Sequence, residues 1–248
     1  MYQFRPRRKR GDSFFDQGIF FDRGSSALAY GIMALAKKYK KESIRVWFPD
    51  YFCKEPIEAL KSFPIEIDYY PIQKNFEPNW GILERMFADG APPDAIVLVH
   101  YFGFANNIAA AKKFCSAYGI ELIEDCAHVM TPYGEVGLSG SISVWSPWKF
   151  FPIPFLGFLH IREDLSGFIP ILPPRQGMRS GIRWYLKREL QRLLCILQVN
   201  WYREKNNQSV PVESDISGIK TSCDIFSLKL FRYYERYDEY IRIRRTAN

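Results

Sequence analysis

The sequence holds no CxxC pair: its five cysteines, Cys53, Cys115, Cys126, Cys195 and Cys223, stand apart. Scattered thiols of this kind argue against a disulfide framework and a structural zinc site, and they fit a reducing compartment. The apolar stretch from Phe150 to Phe158 is too short to span a bilayer, and Pro152 and Pro154 interrupt it. The basic start MYQFRPRRKRGDSFF has no apolar signal-peptide segment behind it, so the chain reads as cytoplasmic with no membrane span. Also missing are a repeat at solenoid spacing, a GxGxxG turn and a Walker lysine. A Rossmann dinucleotide site and a P-loop are thereby excluded.

What is present is enough for a large core. The chain has 248 residues, 47% of them hydrophobic, with 16 Gly and 16 Pro scattered along it. That excludes intrinsic disorder and collagen-like sequence. Aromatics reach 17%, which points to large buried contacts or flat ligands. Lys and Arg outnumber Asp and Glu by 34 to 27, and the resulting +7 suits anionic ligands without choosing among them.

Short β-branched and aromatic runs recur at 44–48, 65–72, 95–101, 120–124, 141–145 and 158–161. Segments with helical spacing lie among the earlier ones, at 25–39, 53–61, 80–88 and 107–118. The run AIVLVHYF is nearly continuous in apolar residues, as a strand buried on both faces should be. The alternation predicts an α/β fold with a mostly parallel sheet between helices. Beyond Ile161 the character changes to a Pro, Gly and Arg loop at 170–181, then a long basic amphipathic helix at 182–204. Its apolar stripe is Ile182, Leu186, Leu190, Leu193, Leu197 and Trp201; its cations include Arg183, Lys187, Arg188, Arg192 and Arg203. The plain expectation is a helix packed by that stripe on a core or a partner. A membrane-surface or nucleic-acid role is the alternative. A polar stretch at 206–221 precedes a last helix from about Asp224 to the end.

Chemistry can sit in three places. At Arg23-Gly24-Ser25-Ser26, a Gly-Ser-Ser stretch opens a helix, whose N–H groups and hydroxyls form a phosphate cup. Plain N-capping by Ser25 or Ser26 is the bland alternative. At Glu124-Asp125-Cys126-Ala127-His128, a carboxylate stands at the carboxyl end of a strand and can hold a proton on a heterocyclic nitrogen. Otherwise Asp125 caps a turn and His128 is a satisfied core histidine. At Ser146-Pro147-Trp148-Lys149-Phe150-Phe151, a lone lysine sits in an aromatic loop. Desolvation by Trp148, Phe150 and Phe151 would free its amine as a Schiff-base nucleophile. Otherwise its stem lies along the rings and its head reaches water. Cup, acid and lysine, in that order, are the parts of a pyridoxal phosphate site.

These stretches resemble the DegT/DnrJ-type sugar aminotransferases, a branch of the fold-type I pyridoxal 5'-phosphate enzymes. The matching segments run in family order as RGSSALAYGIMAL, VWFPDYFC, the block from His100 to Lys149, and LGFLHI, over residues 20–162. The resemblance implies a three-layer α/β/α large domain with a mostly parallel mixed sheet. It makes Lys149 the Schiff-base lysine and proton shuttle. Asp125 would face the pyridine nitrogen and His128 the ring hydroxyl. Gly24, Ser25, Ser26 and Ser146 would hold the phosphate, and Phe52 or Cys53 would stack on the ring. No metal is implied.

The resemblance also implies a ping-pong aminotransferase acting on an amino-acid donor such as glutamate and a nucleotide-linked keto-sugar, in a homodimer whose site lies at the subunit interface. Arg175, Arg179 and Arg183 would suit a diphosphate. Residues 1–165 would form the core of the cofactor domain, and 166–248 its helical remainder and the lead-in to a small C-terminal domain, expected to be largely missing. A catalytically incomplete chain that binds cofactor or a partner without turnover is the alternative. A module binding membrane or nucleic acid through the basic helix stands below both.

Overall fold

The computed structural model of the chain describes residues 13–171, 179–196 and 223–235. Seven strands form one mixed sheet in the order β1-β7-β6-β5-β4-β2-β3. They are β1 Ile19–Phe21, β2 Ile44–Pro49, β3 Ile65–Tyr70, β4 Ala95–Val99, β5 Glu121–Cys126, β6 Ile142–Trp145 and β7 Gly157–Ile161. Strands β3, β2, β4, β5 and β6 run parallel, whereas β7 is antiparallel to both β6 and β1. The helices are α1 Gly24–Lys38, α2 Lys54–Leu60, α3 Trp80–Asp89, α4 Ile108–Tyr118, α5 Glu163–Ser166, α6 Arg179–Ile196 and α7 Ile225–Glu235.

The apolar runs become strands buried on both faces. In β4, Ala95, Val97 and Val99 pack into one core with Leu28, Ile57 and Leu60 of α1 and α2. Ile96 and Leu98 point the other way, to Leu83 of α3 and Ala111 and Phe114 of α4. The two-residue period of a strand sends alternate side chains to opposite layers, so the sheet is sandwiched as expected. Asn79 and Asn107 start α3 and α4 by accepting the N–H of Ile82 (3.3 Å) and Ala110 (3.1 Å) on their side-chain oxygens.

The second core is the richer of the two in aromatic rings. Phe15, Phe158, Phe151 and Phe231 interlock edge to face, with centroids 4.9–5.4 Å apart, and join β7 to α7, while Phe20 of the short edge strand β1 lies 5.6 Å from Phe231. Strand β1 was not expected, because a three-residue run carries no readable alternation.

Chain order places the site. The chain passes from β2 to β3 on one side, then crosses back to β4, β5 and β6 on the other, so the switch falls between β2 and β4. In open α/β sheets, that switch and the carboxyl ends of the parallel strands are where ligands bind.

Candidate functional site

At that edge the loops after β2, β4, β5 and β6 and the start of α1 surround a cavity of about 520 Å³. Gly24, Ser25, Phe52, Asp125, His128, Ser146 and Lys149 all line it; of the anticipated site residues, Ser26 does not. Its buried hydroxyl donates to Asp22 Oδ1 at 2.7 Å. Burial raises the Asp22 carboxyl, opposed by that hydroxyl and by the charge of Arg23.

The α1 terminus is not capped by serine. Arg23 is the N-cap and no side chain caps the helix. The first intrahelical bond runs from Ala27 N–H to the Arg23 carbonyl at 3.1 Å, so the N–H groups of Gly24, Ser25 and Ser26 precede the ladder. Their dipoles add to the partial positive charge of a helix start, which favours an anion. The neighbourhood is built tight around this turn. A Cβ on Gly24 would overlap Ser146 Oγ, and a Cβ on Gly157 would overlap the Arg23 carbonyl and lie 2.6 Å from the Gly24 nitrogen. Two glycines thus let β7, the buried Ser146 and α1 meet, and sequence reading singled out only the first as a site residue. Arg23 itself bonds Glu55 Oε1 at 2.6 Å and lies over the Phe155 ring at 4.6 Å.

Strand register sets the acid. Asp125 pairs with Val99 at the last position of the β4 ladder and with Val144 at the last but one of the β6 ladder, close to where the chain turns away. Its Oδ1 accepts the Ala127 N–H at 2.8 Å. The capping expected as the bland alternative is therefore real, and the residue lines the cavity as well. Burial raises its carboxyl; the Ala127 bond and the charges of Lys149 and the imidazoles oppose that. His128 is half-buried rather than a core residue. Its Nδ1 accepts the Phe102 N–H at 3.3 Å, which leaves the proton on Nε2. Burial lowers its pKa, the Lys149 cation lowers it further, and Asp125 opposes both.

Lys149 ends a 3-10 turn, Pro147–Lys149, that β6 feeds directly; its N–H bonds the Ser146 carbonyl at 3.0 Å. Enclosure by its aromatic neighbours does not occur. Lys149 and Trp148 are exposed, while Phe151 turns into the core against Phe231. The backbone of a 3-10 turn sends successive side chains in different directions, so neighbours in sequence do not cluster round the amine. What the structure does supply is charge: the ammonium is felt at both Asp125 and His128.

Of the two ring-stacking candidates, Phe52 lies on the cavity wall with its ring 5.1 Å from that of Phe48, half-buried. Cys53, exposed on the same wall, is the N-cap of α2. Tyr51 is exposed at the mouth, and its carbonyl accepts the Tyr101 hydroxyl at 2.6 Å. Phe102 stands beside it at φ +56° and stacks within 11° of parallel to His128.

Behind the cavity lies a brace that sequence reading missed. His100 Nδ1 accepts the Asn106 N–H at 3.1 Å, so Nε2 carries the proton and donates to Glu124 Oε2 at 2.9 Å. Glu124 also accepts the N–H groups of Gly137, Ser139 and Gly140 at 2.6–2.8 Å. A histidine directly after the apolar run of β4 and a glutamate directly after Leu122-Ile123 in β5 were the available signal. Cys126 joins these two in a trio whose donor atoms lie within 4.8 Å of one another. The lone pair of His100 and both carboxylate oxygens of Glu124 are already engaged, which makes the trio a hydrogen-bonded brace rather than a ready ligand set.

Among the described residues, no helix is long and apolar enough to cross a membrane. Arg175 and the Arg179 side chain, expected to suit a diphosphate, lie outside what is described; Arg183 is exposed on α6, away from the cavity lining.

Known structures share the fold. A DegT DnrJ EryC1 StrS aminotransferase from Brucella abortus is similar in fold, with TM-score 0.51 and 18% identity over 60% of this chain and 43% of its own. NtdA from Bacillus subtilis, solved with bound cofactor PMP, gives 0.54 and 20% over 61% of this chain and 35% of its own. GDP-4-keto-6-deoxymannose-3-dehydratase with bound GDP-perosamine gives 0.52 and 20% over 60% and 40%. The chain therefore spans less than half the length of these structures. No curated protein sequence matches it. The model of the DegT/DnrJ/EryC1/StrS aminotransferase family matches residues 18–155, the stretch that contains α1, Asp125, His128 and Lys149, and the chain belongs to that family.

Proposed function

We propose that the chain supplies the cofactor-binding part of a pyridoxal 5'-phosphate-dependent aminotransferase. It would act on an amino-acid donor, glutamate by this reading, and a nucleotide-linked keto-sugar. The observation that carries the reading is the convergence of the α1 terminus, Asp125 and Lys149 on one cavity. The donor set fits the group in kind: N–H groups and a hydroxyl for a dianionic phosphate, a half-buried carboxylate for a ring nitrogen, and a primary amine for an aldehyde. Gly24 and Gly157 let β7, Ser146 and the α1 terminus pack closely, and Gly24, Ser25 and Ser146 all face the cavity.

When bound, the cofactor supplies an aldehyde that captures amines and a pyridine ring that draws electrons from the reacting bond. In this reading, the N–H groups of Gly24, Ser25 and Ser26 and the Ser146 hydroxyl bind the phosphate. The Asp125 carboxylate holds a proton on the ring nitrogen, by a charge-assisted bond in a poorly solvated place. His128 Nε2–H orients the ring oxygen. Phe52 or Cys53 covers one ring face. Lys149 Nζ holds the cofactor and moves a proton at the substrate carbon. Tyr51 and Phe102 screen the mouth from water. Residues 1–165 make the cofactor domain core and 166–248 its helical remainder. The assembly is a homodimer, supported by the exposed Tyr51, Phe102 and Phe104 on neighbouring loops.

Titrating the purified chain with pyridoxal phosphate tests the reading. A new visible absorbance band, fixed by borohydride as a mass adduct on the peptide containing Lys149 and lost in Lys149→Ala, is expected. A colourless protein without that adduct overturns it. Loss of the band on adding glutamate then marks half-reaction competence. An unchanged band would favour a chain that binds cofactor without turnover.

A further inference from the structure

Helix α6 is mounted with its apolar side outward. At 100° per residue, Ile182, Leu186, Leu190 and Leu193 fall within one narrow arc, the described part of the stripe expected to meet a core or a partner; Leu197 and Trp201 lie outside the described residues. Among the described residues of this chain the four meet no core: they are 36%, 62%, 55% and 57% exposed. The opposite face, with Trp184, Arg188 and Gln191, borders a second cavity of about 520 Å³ against Trp148, Phe151 and Ile153 of the lysine loop. Packing of Tyr185 on Phe226 (5.8 Å) and a bond from Gly181 N–H to Asp224 Oδ2 (2.9 Å) fix the helix to α7 in that orientation. The helix lies beyond the 18–155 stretch that the family model matches.

We propose that α6 docks the protein on an anionic lipid surface, with the leucine stripe entering the headgroup layer. Charge complementarity favours this occupant. The helix carries five cations, Arg179, Arg183, Lys187, Arg188 and Arg192, against one anion, Glu189. Arg183 and Lys187 are exposed directly beside the stripe, where long cationic side chains reach lipid phosphates. Area argues the same way. Four aliphatic side chains, each about half exposed, offer on the order of 400 Å² of surface, against about 800 Å² per partner in a stable protein interface. A lipid surface needs no second matched patch, and basic residues add to its attraction at low ionic strength. The helix lies in the plane of the surface and does not cross it.

Vesicle sedimentation of the full chain tests this. Vesicles of phosphatidylcholine with 30% phosphatidylglycerol are compared with phosphatidylcholine alone, at low and at 0.5 M salt. The expected result is binding to the anionic vesicles that falls at least tenfold on neutral ones and several-fold in high salt. L186E/L190E should lose binding at least tenfold, and R183E/K187E several-fold, with the circular dichroism spectrum and melting temperature of both unchanged. No sedimentation, equal binding to neutral vesicles, or full binding by L186E/L190E overturns the proposal. So does a dimer seen in sedimentation velocity that L186E/L190E dissociates, since a second copy then covers the stripe. Pyridoxal phosphate binding enters none of these readouts, so the cofactor reading can fail or stand separately.

Discussion

His100 Nε2–H donates to Glu124 Oε2 across 2.9 Å, with both side chains fully shielded from solvent. The pair ties the loop after β4 and the loop before β6 to β5, one residue from Asp125. Burial pushes the Glu124 carboxyl up, but the His100 bond and the N–H groups of Gly137 and Gly140 outweigh it and hold it below 4.5. A carboxyl whose folded pKa is depressed contributes stability above its unfolded value and loses it as pH falls. Resistance to urea should therefore fall steadily below pH 4.5. Glu124→Gln should cost about 3 kcal/mol at neutral pH and flatten that acid limb. An unchanged slope in the variant would remove Glu124 from the acid response.

The two glycines of the cradle should respond differently. Gly157→Ala drives a methyl into backbone, the Arg23 carbonyl, and should cost about 2–3 kcal/mol in chemical denaturation. Gly24→Ala meets only the Ser146 hydroxyl, which can rotate, and gains about 1 kcal/mol of helix propensity. It should leave stability nearly unchanged while weakening pyridoxal phosphate binding several-fold, read by fluorescence titration. Equal stability losses at both positions would mean that a rotatable hydroxyl and a fixed carbonyl resist the methyl alike, against this expectation.

Charge coupling across the cavity is readable by NMR of the His128 ring. Burial and the Lys149 ammonium lower its pKa, and Asp125 raises it. Lys149→Ala should move the His128 titration upward toward 6.5, and Asp125→Asn should move it downward. Identical titration curves in both variants would mean that the three groups do not share the site.

Phe102 occupies the left-handed region at φ +56° although it carries a side chain. Such a conformation costs about 1–2 kcal/mol for ordinary residues and is least tolerable for β-branched ones. Phe102→Val should lower the unfolding free energy by about 1–2 kcal/mol and Phe102→Asn by less, since asparagine tolerates this region. A valine variant as stable as wild type would show that the turn relaxes.

Much of the fold was legible because its strands are buried on both faces. The run at 95–101 is apolar almost without a break, and the strand, Ala95–Val99, fills all of it but the last two positions. Most boundaries fell within a few residues for that reason, and the Gly-Ser-Ser turn, the strand-end Asp125 and Lys149 were readable as candidates from chain order. The surroundings of the lysine were not. Trp148, Lys149, Phe150 and Phe151 are adjacent in sequence, but the 3-10 turn spreads their directions: Phe151 is buried in the core, Phe150 packs against it, and Trp148 and Lys149 are exposed. Ser26 was indistinguishable from Ser25 until helix phase turned one hydroxyl to Asp22 and the other residue to the cavity.

By itself, then, the sequence determined the layered α/β architecture and the order of the site residues along the chain, since both follow from local hydrophobic period and from which residue ends each strand. Tertiary structure decided what no local pattern encodes. It joined His100 to Glu124 across 24 positions, closed Gly157 onto Arg23, and turned the leucines of α6 outward. Periodicity tells which residues share a face; only packing against the rest of the chain sets which way that face looks.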